Sequence, residues 1–487
     1  MTRAFVYLIL LFPFCKTLYG QKINDSIALD LQTVVSLAKE RSIASKQAIT
    51  TRETNYWLWR TYKSNYNPQL SLSGTLPGYT KTFAQVLQPN GAILFQPVHN
   101  DNSTLALSFS QSIAATGGSI FGTTQLQRFD DFDRKDVLYN GVPYGIGFSQ
   151  PLWQFNQLKW DNKIEPLKFH ESKQAYIESM EQISFTASGY FFDLLLAQVN
   201  LQIAETNLAN TENMLRIAKE KLEIGKISTN DILQLQLERL KAMKSAGIAR
   251  RDMEIAGLTL RSYAGLPSSI NIVLAMPPPK INIKITAEKV IEEAYANRSD
   301  AIAFVRRMAE ARRDIAKARG DNGINATLTA RLGYSNTAPT IGKVYQNPRN
   351  QQLVELDFVI PILDWGRSKS RTKTAQANLQ FTEYAVEQAK QIFVQQIVTQ
   401  VTLFDMMRDQ IALTAKVDSI AAEKYRIASE RYILGNLGIT DLSIAFEEKD
   451  QAKRDYISSL RDLWAAFYQL RYLSLYDFEN EQKIIYK

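Results

Sequence analysis

Two carboxylates recur in one setting. Asp231 lies six residues after Gly225, and Asp441 lies six residues after Gly435. An acid just inside a helix start can hydrogen-bond the free amides there, or it can hold a negative charge toward a passing solute or a docking partner. Other chemistry is sparse. The two histidines, His99 and His170, are not spaced as a metal-ligand pair. There is no Walker glycine loop, no dinucleotide fingerprint and no G-x-S-x-G elbow. The expectation is a protein that is not an enzyme and uses no cofactor and no metal. Lys and Arg number 57 against 49 Asp and Glu, a formal charge of +8. These charges are interspersed along helical stretches, which reads as solvated helix faces and not as a nucleic-acid surface.

The elements that place the two acids are long. No proline occurs from Leu167 to Leu266 or from Ile362 to the end, and both stretches carry helical periodicity. Trp365 to Leu434 would be a helix of roughly 105 Å at 1.5 Å per residue, far beyond the ordinary 11–12 residues or so. Gln157 to Ile224 is its counterpart. Leu413, Ile420, Ile427 and Leu434 repeat every seven residues, matched by Ile203, Asn210, Ile217 and Ile224. A second seam runs through Leu201, Leu208, Leu215 and Leu222. Spacing of seven predicts coiled-coil packing, and two seams predict two neighbours. Gly225 and Gly435 are placed to end each helix in a left-handed residue. Ser228-Thr229-Asn230-Asp231 and Thr440-Asp441 then offer caps for a returning helix. Each long helix is thus expected to end in a tight hairpin tip.

Between the helical stretches apolar residues alternate with polar ones. Leu70, Leu72 and Leu76 do so, as do Leu105, Leu107 and Phe109, then Tyr144, Ile146 and Phe148. Ala326, Leu328, Ala330, Leu332 and Tyr334 form a fourth set, and Val354, Leu356, Phe358 and Ile360 a fifth. Each predicts a short strand with one apolar and one wet face. Five of the six tryptophans (Trp57, Trp59, Trp153, Trp160 and Trp365) fall near junctions of helix and strand. They fit either an interfacial aromatic belt or packing at a bend.

The N-terminus reads as an export signal, with Arg3, the apolar run Ala4 to Phe14 and cleavage after Gly20. The single cysteine, Cys15, falls inside it; the large residues of Phe12-Pro13-Phe14 argue against a lipid anchor there. No later run of about 18 apolar residues exists, so a membrane could be entered only as strands. The rest is duplicated. Pro151-Leu152-Trp153 matches Pro361-Ile362-Leu363, 361 − 151 = 210, and the two tip glycines keep the same offset, 435 − 225 = 210. Val34-Val35 and Ala38 match Val290-Ile291 and Ala294 at an offset of 256. The first copy therefore carries about 46 extra residues (256 − 210) before Pro151. They are expected as a mixture of a longer loop, Pro77 to Ser103, and an added hairpin around Thr116-Gly117-Gly118. The expected divisions are a signal (1–20), a first repeat (21–266), a linker stiffened by Pro277-Pro278-Pro279 (267–285) and a second repeat (286–487). Within the repeats, strands are expected at 68–153 and 324–362, and long helical hairpins at 157–264 and 365–475.

These features together resemble the TolC-type outer-membrane efflux protein family, or outer membrane factors. The resemblance rests on Ser149-Gln150-Pro151-Leu152-Trp153 with Val359-Ile360-Pro361-Ile362-Leu363-Asp364, on the paired tips, and on Ala294-Tyr295-Ala296-Asn297-Arg298-Ser299-Asp300. It spans nearly the whole chain after the signal. It implies a mainly α fold with a membrane β-barrel portion: a homotrimer whose α-barrel continues a shared β-barrel, with two tandem repeats per chain. It implies a cell-outer-membrane location reaching into the periplasm, contact with outer-membrane lipid, and a passive conduit served by a periplasmic adaptor (membrane fusion protein) and an inner-membrane transporter. The aperture would lie at the tips, at Gly225, Lys226, Asp231, Gly435, Asn436 and Asp441. Leu437 stands where some members place a basic latch, and Ile444 where some carry a further acid. Two strands per copy would close twelve in a trimer, more if the extra residues pair in the barrel. A channel for type I protein secretion and a periplasmic coiled-coil adaptor or scaffold are the alternatives; the duplication and the strands favour the channel.

Overall fold

The computed structural model describes residues 26–89, 91–223, 225, 227–279 and 284–486. The expected export signal and Cys15 lie outside them. In chain order the first copy runs β1 (Ser26–Leu29), α1 (Leu31–Arg41), α2 (Ile43–Ser64), β2 (Gln69–Thr75), β3 (Tyr79–Leu87), β4 (Ile93–Ile113), β5 (Gly118–Asp131), β6 (Asp136–Leu152), α3 (Gln157–Glu223) and α4 (Thr229–Ala264). The second runs β7 (Asn271–Leu274), α5 (Ala287–Asn297), α6 (Ser299–Asp321), β8 (Asn325–Ala338), α7 (Ile341–Val344), β9 (Arg349–Val359), α8 (Arg367–Ile433), α9 (Ile439–Ser474), β10 (Tyr476–Asp477) and β11 (Gln482–Lys483). The duplication is exact in length where the sequence register predicts it. Helices α3 and α8 have 67 residues each, and α4 and α9 have 36 each. Their starts stand 210 apart (367 − 157 and 439 − 229), whereas β2 and β8 start 256 apart (325 − 69).

The described chain divides into two compact units, and the long helices contribute residues to both. One unit holds residues 44–185, 284–420 and 459–486. Its sheet is an antiparallel meander in the order β2-β4-β5-β6-β8-β9, with β3 extending the pairing of β4. The expected loop from Pro77 to Ser103 is therefore β-structure: Tyr79–Leu87 pairs with Ile93–Asp101 in a ribbon. Its alternation was hidden because Pro77, Pro89 and Pro97 read as breakers, and Pro97 is tolerated in a ribbon with an open side. Strands β4 and β5 are the added hairpin, joined by the turn at Thr116-Gly117 and inserted between the two strands that match β8 and β9. The count is six strands in the sheet path, four from the first copy and two from the second.

The sheet is two-sided. One register row runs Leu70, Phe109, Gly122, Ile146 and Leu332 across five strands. The next face over carries Ser71, Ser108, Thr123 and Gly145. Arg331 lies on that second face and donates to Thr123 at 3.2 Å. Gly147 makes room there: a Cβ on it would sit 2.6 Å from the Phe121 ring.

Beside the sheet, this unit buries Phe404, Phe467, Leu460 and Leu470. It also buries polar wiring. Arg471 pairs with the fully buried Glu181 at 3.1 Å and with Asp477 at 2.9 Å, and the Tyr486 hydroxyl donates to Glu181. Glu178 accepts from the backbone and hydroxyl of Ser299 at the start of α6, 3.4 Å from Arg298. Burial opposes the Arg298 charge, but Glu178 and Asp300 more than offset it and hold its pKa above the usual.

The other unit holds residues 26–43, 186–279 and 421–458. The expected linker proves to contain β7, which pairs in parallel with β1. Its alternate residues Ile272 and Leu274 are buried, and Gln198 clamps it by donating to the Ile272 carbonyl at 2.6 Å and accepting from Leu274 at 3.2 Å. Four residues were too few to stand out beside Pro277-Pro278-Pro279.

Candidate functional site at the helical hairpin tips

Both tips form where expected, by the same backbone device. Gly225 and Gly435 take left-handed conformations with φ of 71° and 81°. No side chain crowds either position, so it is the backbone turn that requires glycine. At the second tip Gly435 donates to the Tyr432 carbonyl at 3.0 Å, and Asn436 donates to the Arg431 carbonyl at 2.9 Å. These are the paired bonds that close a helix end on a left-handed residue. At the first tip Gly225 donates to Leu222 at 2.9 Å. Lys226 and Ile224 lie outside the described residues.

The two acids then diverge. Ser228 caps α4, and its hydroxyl accepts from the Asp231 amide at 3.3 Å. The Asp231 carboxylate reaches back to the Ser228 amide and hydroxyl, both at 2.8 Å, completing a reciprocal capping box. The Ser228 backbone and hydroxyl hold the Asp231 carboxyl below the usual carboxylate range. In the second copy the equivalent of Ser228 is Gly438 (438 − 228 = 210). Gly438 has no hydroxyl to offer, and at the start of α9 the Leu442 amide donates to the Gly438 carbonyl at 3.3 Å. Among the described residues, nothing hydrogen-bonds the exposed Asp441 carboxylate.

Beneath the tips lie small apolar cores. Leu215, Ala218, Ile232 and Leu235 form one, and Ala428, Leu442 and Ala445 form the other; Met214 and Ile439 pack on both. Leu437 belongs to the second core, which accounts for an apolar residue at that position, and Ile444 is exposed. The Tyr432 ring carries Lys221 at 5.2 Å. Burial, with the Asp231 charge adding to it, pushes the Tyr432 hydroxyl up. Above these cores a cavity of about 800 Å³ is lined by residues of α3, α4 and α9, among them Asn207, Leu235, Phe446 and Asp450. Asp450 is buried, accepts from Asn207 at 2.6 Å and lies 3.3 Å from Lys449. Sequence reading missed this pair because its members lie 243 residues apart.

The seven-residue seams separate into two kinds. Leu201 and Leu208 pack on Ala204, Ala246 and Ala249, and Leu222 packs beside Leu215. Leu413, Ile420, Ile427 and Leu434 remain exposed, Leu434 at 74%. On α4, Leu233, Leu237, Leu240 and Ile255 are likewise exposed. Two apolar helix faces are thus left uncovered among the described residues.

The tryptophans also divide. Trp57, Trp153 and Trp365 are exposed. Trp153 and Trp365 turn the chain from strand to helix with φ of 59° and 54°. Trp59 instead stacks on Phe169, with centroids 4.9 Å apart, and the Trp160 ring carries Lys163 at 5.0 Å. No helix among the described residues is long and apolar enough to cross a membrane.

Residues 290–474 match the family described as "Outer membrane efflux protein". The chain is 24% identical over 271 residues to the pyoverdine export outer membrane protein OpmQ of Pseudomonas aeruginosa, a match covering 55% of this chain and about half (54%) of OpmQ. It is 21% identical over 398 residues to the outer membrane protein TolC of Vibrio cholerae, covering 78% of this chain and 88% of that protein. Among solved structures, the Campylobacter jejuni CmeC outer membrane channel superposes with a TM-score of 0.67 at 15% identity, over 94% of this chain and 87% of that one. The outer membrane protein VceC of Vibrio cholerae superposes with a TM-score of 0.63 at 14% identity, over 91% and 95%. These two likenesses establish the fold.

Proposed function

We propose that this chain, which belongs to the outer membrane efflux protein family, is one subunit of a trimeric outer-membrane channel and serves as a passive conduit in a tripartite export system. The observation that carries this reading is the two-sided sheet. Its exposed apolar face suits lipid and its serine- and threonine-rich face suits a water-filled lumen. Lipid would cover the first face, and the uncovered stripes on α4 and α8 would meet on neighbouring copies, a head-to-tail contact that closes a ring.

The tips then supply the periplasmic aperture. Asp231 is engaged in its own helix cap, so Asp441 is the acid left for charge-assisted hydrogen bonds to a neighbouring copy. We assign Asp441 as the gate acid, with Gly435 and Asn436 as the turn that presents it, and Gly225 as the matching turn of the first tip. The apolar and polar cavity at Asn207 and Asp450 suits the helical hairpin of an adaptor, which in turn would engage an inner-membrane pump. Trp57, Trp153 and Trp365 are the residues we assign to the membrane interface. Cell fractionation tests the main point: a heat-modifiable band of trimer size in the outer membrane is expected. Finding the mature chain as a free monomer in the periplasm would overturn the reading.

A further inference from the structure

The sheet carries two more strands than two per copy would give, and their position in the register is informative. Strands β4 and β5 do not lie above the others as a surface hairpin. They sit between β2 and β6, and the row Leu70, Phe109, Gly122, Ile146 and Leu332 passes straight through both. Every large apolar member of that row is exposed. Leu107, one step along β4, faces the same way, while its neighbour Ser108 shares the wet face with Ser71 and Thr123. With 21 and 14 residues, β4 and β5 exceed the roughly 9–11 that a tilted strand needs to cross a bilayer.

The two ends of the sheet are open and compatible. Strand β2 is exposed along its whole length, and so is β9. Every neighbouring pair in the path is antiparallel. With six strands in the path, β9 runs opposite to β2, so the β9 edge of one copy can pair antiparallel with the β2 edge of the next. An odd number would have forbidden that closure. Such long apolar edges are an aggregation hazard unless they are paired.

We propose that all six strands of each chain lie in the membrane, and that three copies joined edge to edge close a barrel of eighteen strands (three times six). The partner on each open edge is a second copy of this chain. Barrel diameter grows roughly linearly with strand number, so this exit is about one and a half times as wide as a twelve-stranded one. A wider exit suits bulkier polar cargo. This inference rests on the channel reading above, and its test is chosen so that the two can fail separately.

The test uses single cysteines in the purified full-length trimer in lipid, with the native chain as the blank because its only cysteine is Cys15. A fluorophore on Leu107→Cys is expected to be quenched by spin-labelled lipid, whereas Ser108→Cys is expected to react with a membrane-impermeant maleimide. Leu332→Cys and Thr329→Cys on β8 provide the same pair in a strand present in both copies. If Leu107→Cys fails to assemble, Phe109→Cys carries that arm. Quenching at position 332 without quenching at 107 or 109 would overturn the six-strand proposal and leave the channel reading standing. Absence of quenching at all of these positions would overturn both. For the edges, Ser71→Cys is combined in turn with Leu353→Cys, Glu355→Cys and Asp357→Cys, which share one face of β9. A covalent trimer-sized band in at least one combination is expected; its absence in all three would overturn edge-to-edge closure.

Discussion

The first tip and the second tip have the same length, the same glycine turn and the same acid in register, yet the acids have different partners. Asp231 is held by Ser228 in a capping box, while Asp441 follows Gly438 and has no side-chain partner among the described residues. The first tip carries a serine hydroxyl where the second has glycine, and the carboxylate is drawn back to its own helix start only in the first. The same asymmetry recurs farther from the tips. Arg471 is locked to the buried Glu181, whereas its register mate Arg261 (471 − 261 = 210) donates to the Ile270 carbonyl at 3.1 Å. Duplication preserved the backbone plan, and the polar contacts diverged on it.

The largest effect that tests this comparison lies at the arginine pair. Arg471→Met leaves Glu181 charged and buried, and is expected to cost about 3–5 kcal/mol. Arg261→Met removes one hydrogen bond to a carbonyl and is expected to cost about 1 kcal/mol. Thermal unfolding of the two variants should separate them clearly; equal losses would mean that the two copies are wired alike. Next comes the cap. Ser228→Ala should destabilise the first tip by about 1 kcal/mol, seen as faster hydrogen exchange at the start of α4 and not of α9.

The cap also predicts a pH dependence. The carboxyl of Asp231 is depressed in the folded chain, so its contribution is fully present above the unfolded aspartate value of about 3.9. It fades as pH falls from there through the lower folded value. Exchange at the first tip should accelerate over that window in the native chain and stay flat in Asp231→Asn, which has no carboxyl to titrate. The smallest effect is the reverse substitution. Gly438→Ser would rebuild the box around Asp441; space is open there, since an added Cβ would meet only Asp441 at 3.8 Å. Replacing a glycine cap by serine gains only a few tenths of a kcal/mol. Its sharper consequence would be to engage the second acid without removing its charge.

Much of this was legible in the sequence. The 210-residue offset set the long helices, because seven-residue spacing and a terminal glycine leave strong marks. Leu105, Leu107 and Phe109 betrayed β4 by alternation, as Val354, Leu356 and Phe358 betrayed β9. The ribbon of β3 was not legible, since prolines that read as turns sit at its ends and on its open side. Strand β7 was hidden by its four-residue length beside a proline run. The buried network of Glu181, Arg471 and Tyr486 spans up to 305 residues and leaves no local pattern. At the tips, both acids could be found from spacing, but their division of labour needed the hydroxyl of Ser228 to be seen against Gly438.

Single-channel conductance in a planar bilayer tests that division most directly, with the native trimer, Asp441→Ala and Asp231→Ala measured side by side. The account predicts that Asp441→Ala conducts more than the native channel, while Asp231→Ala stays close to it. Native conductance in Asp441→Ala, or an equal rise in both variants, would contradict it.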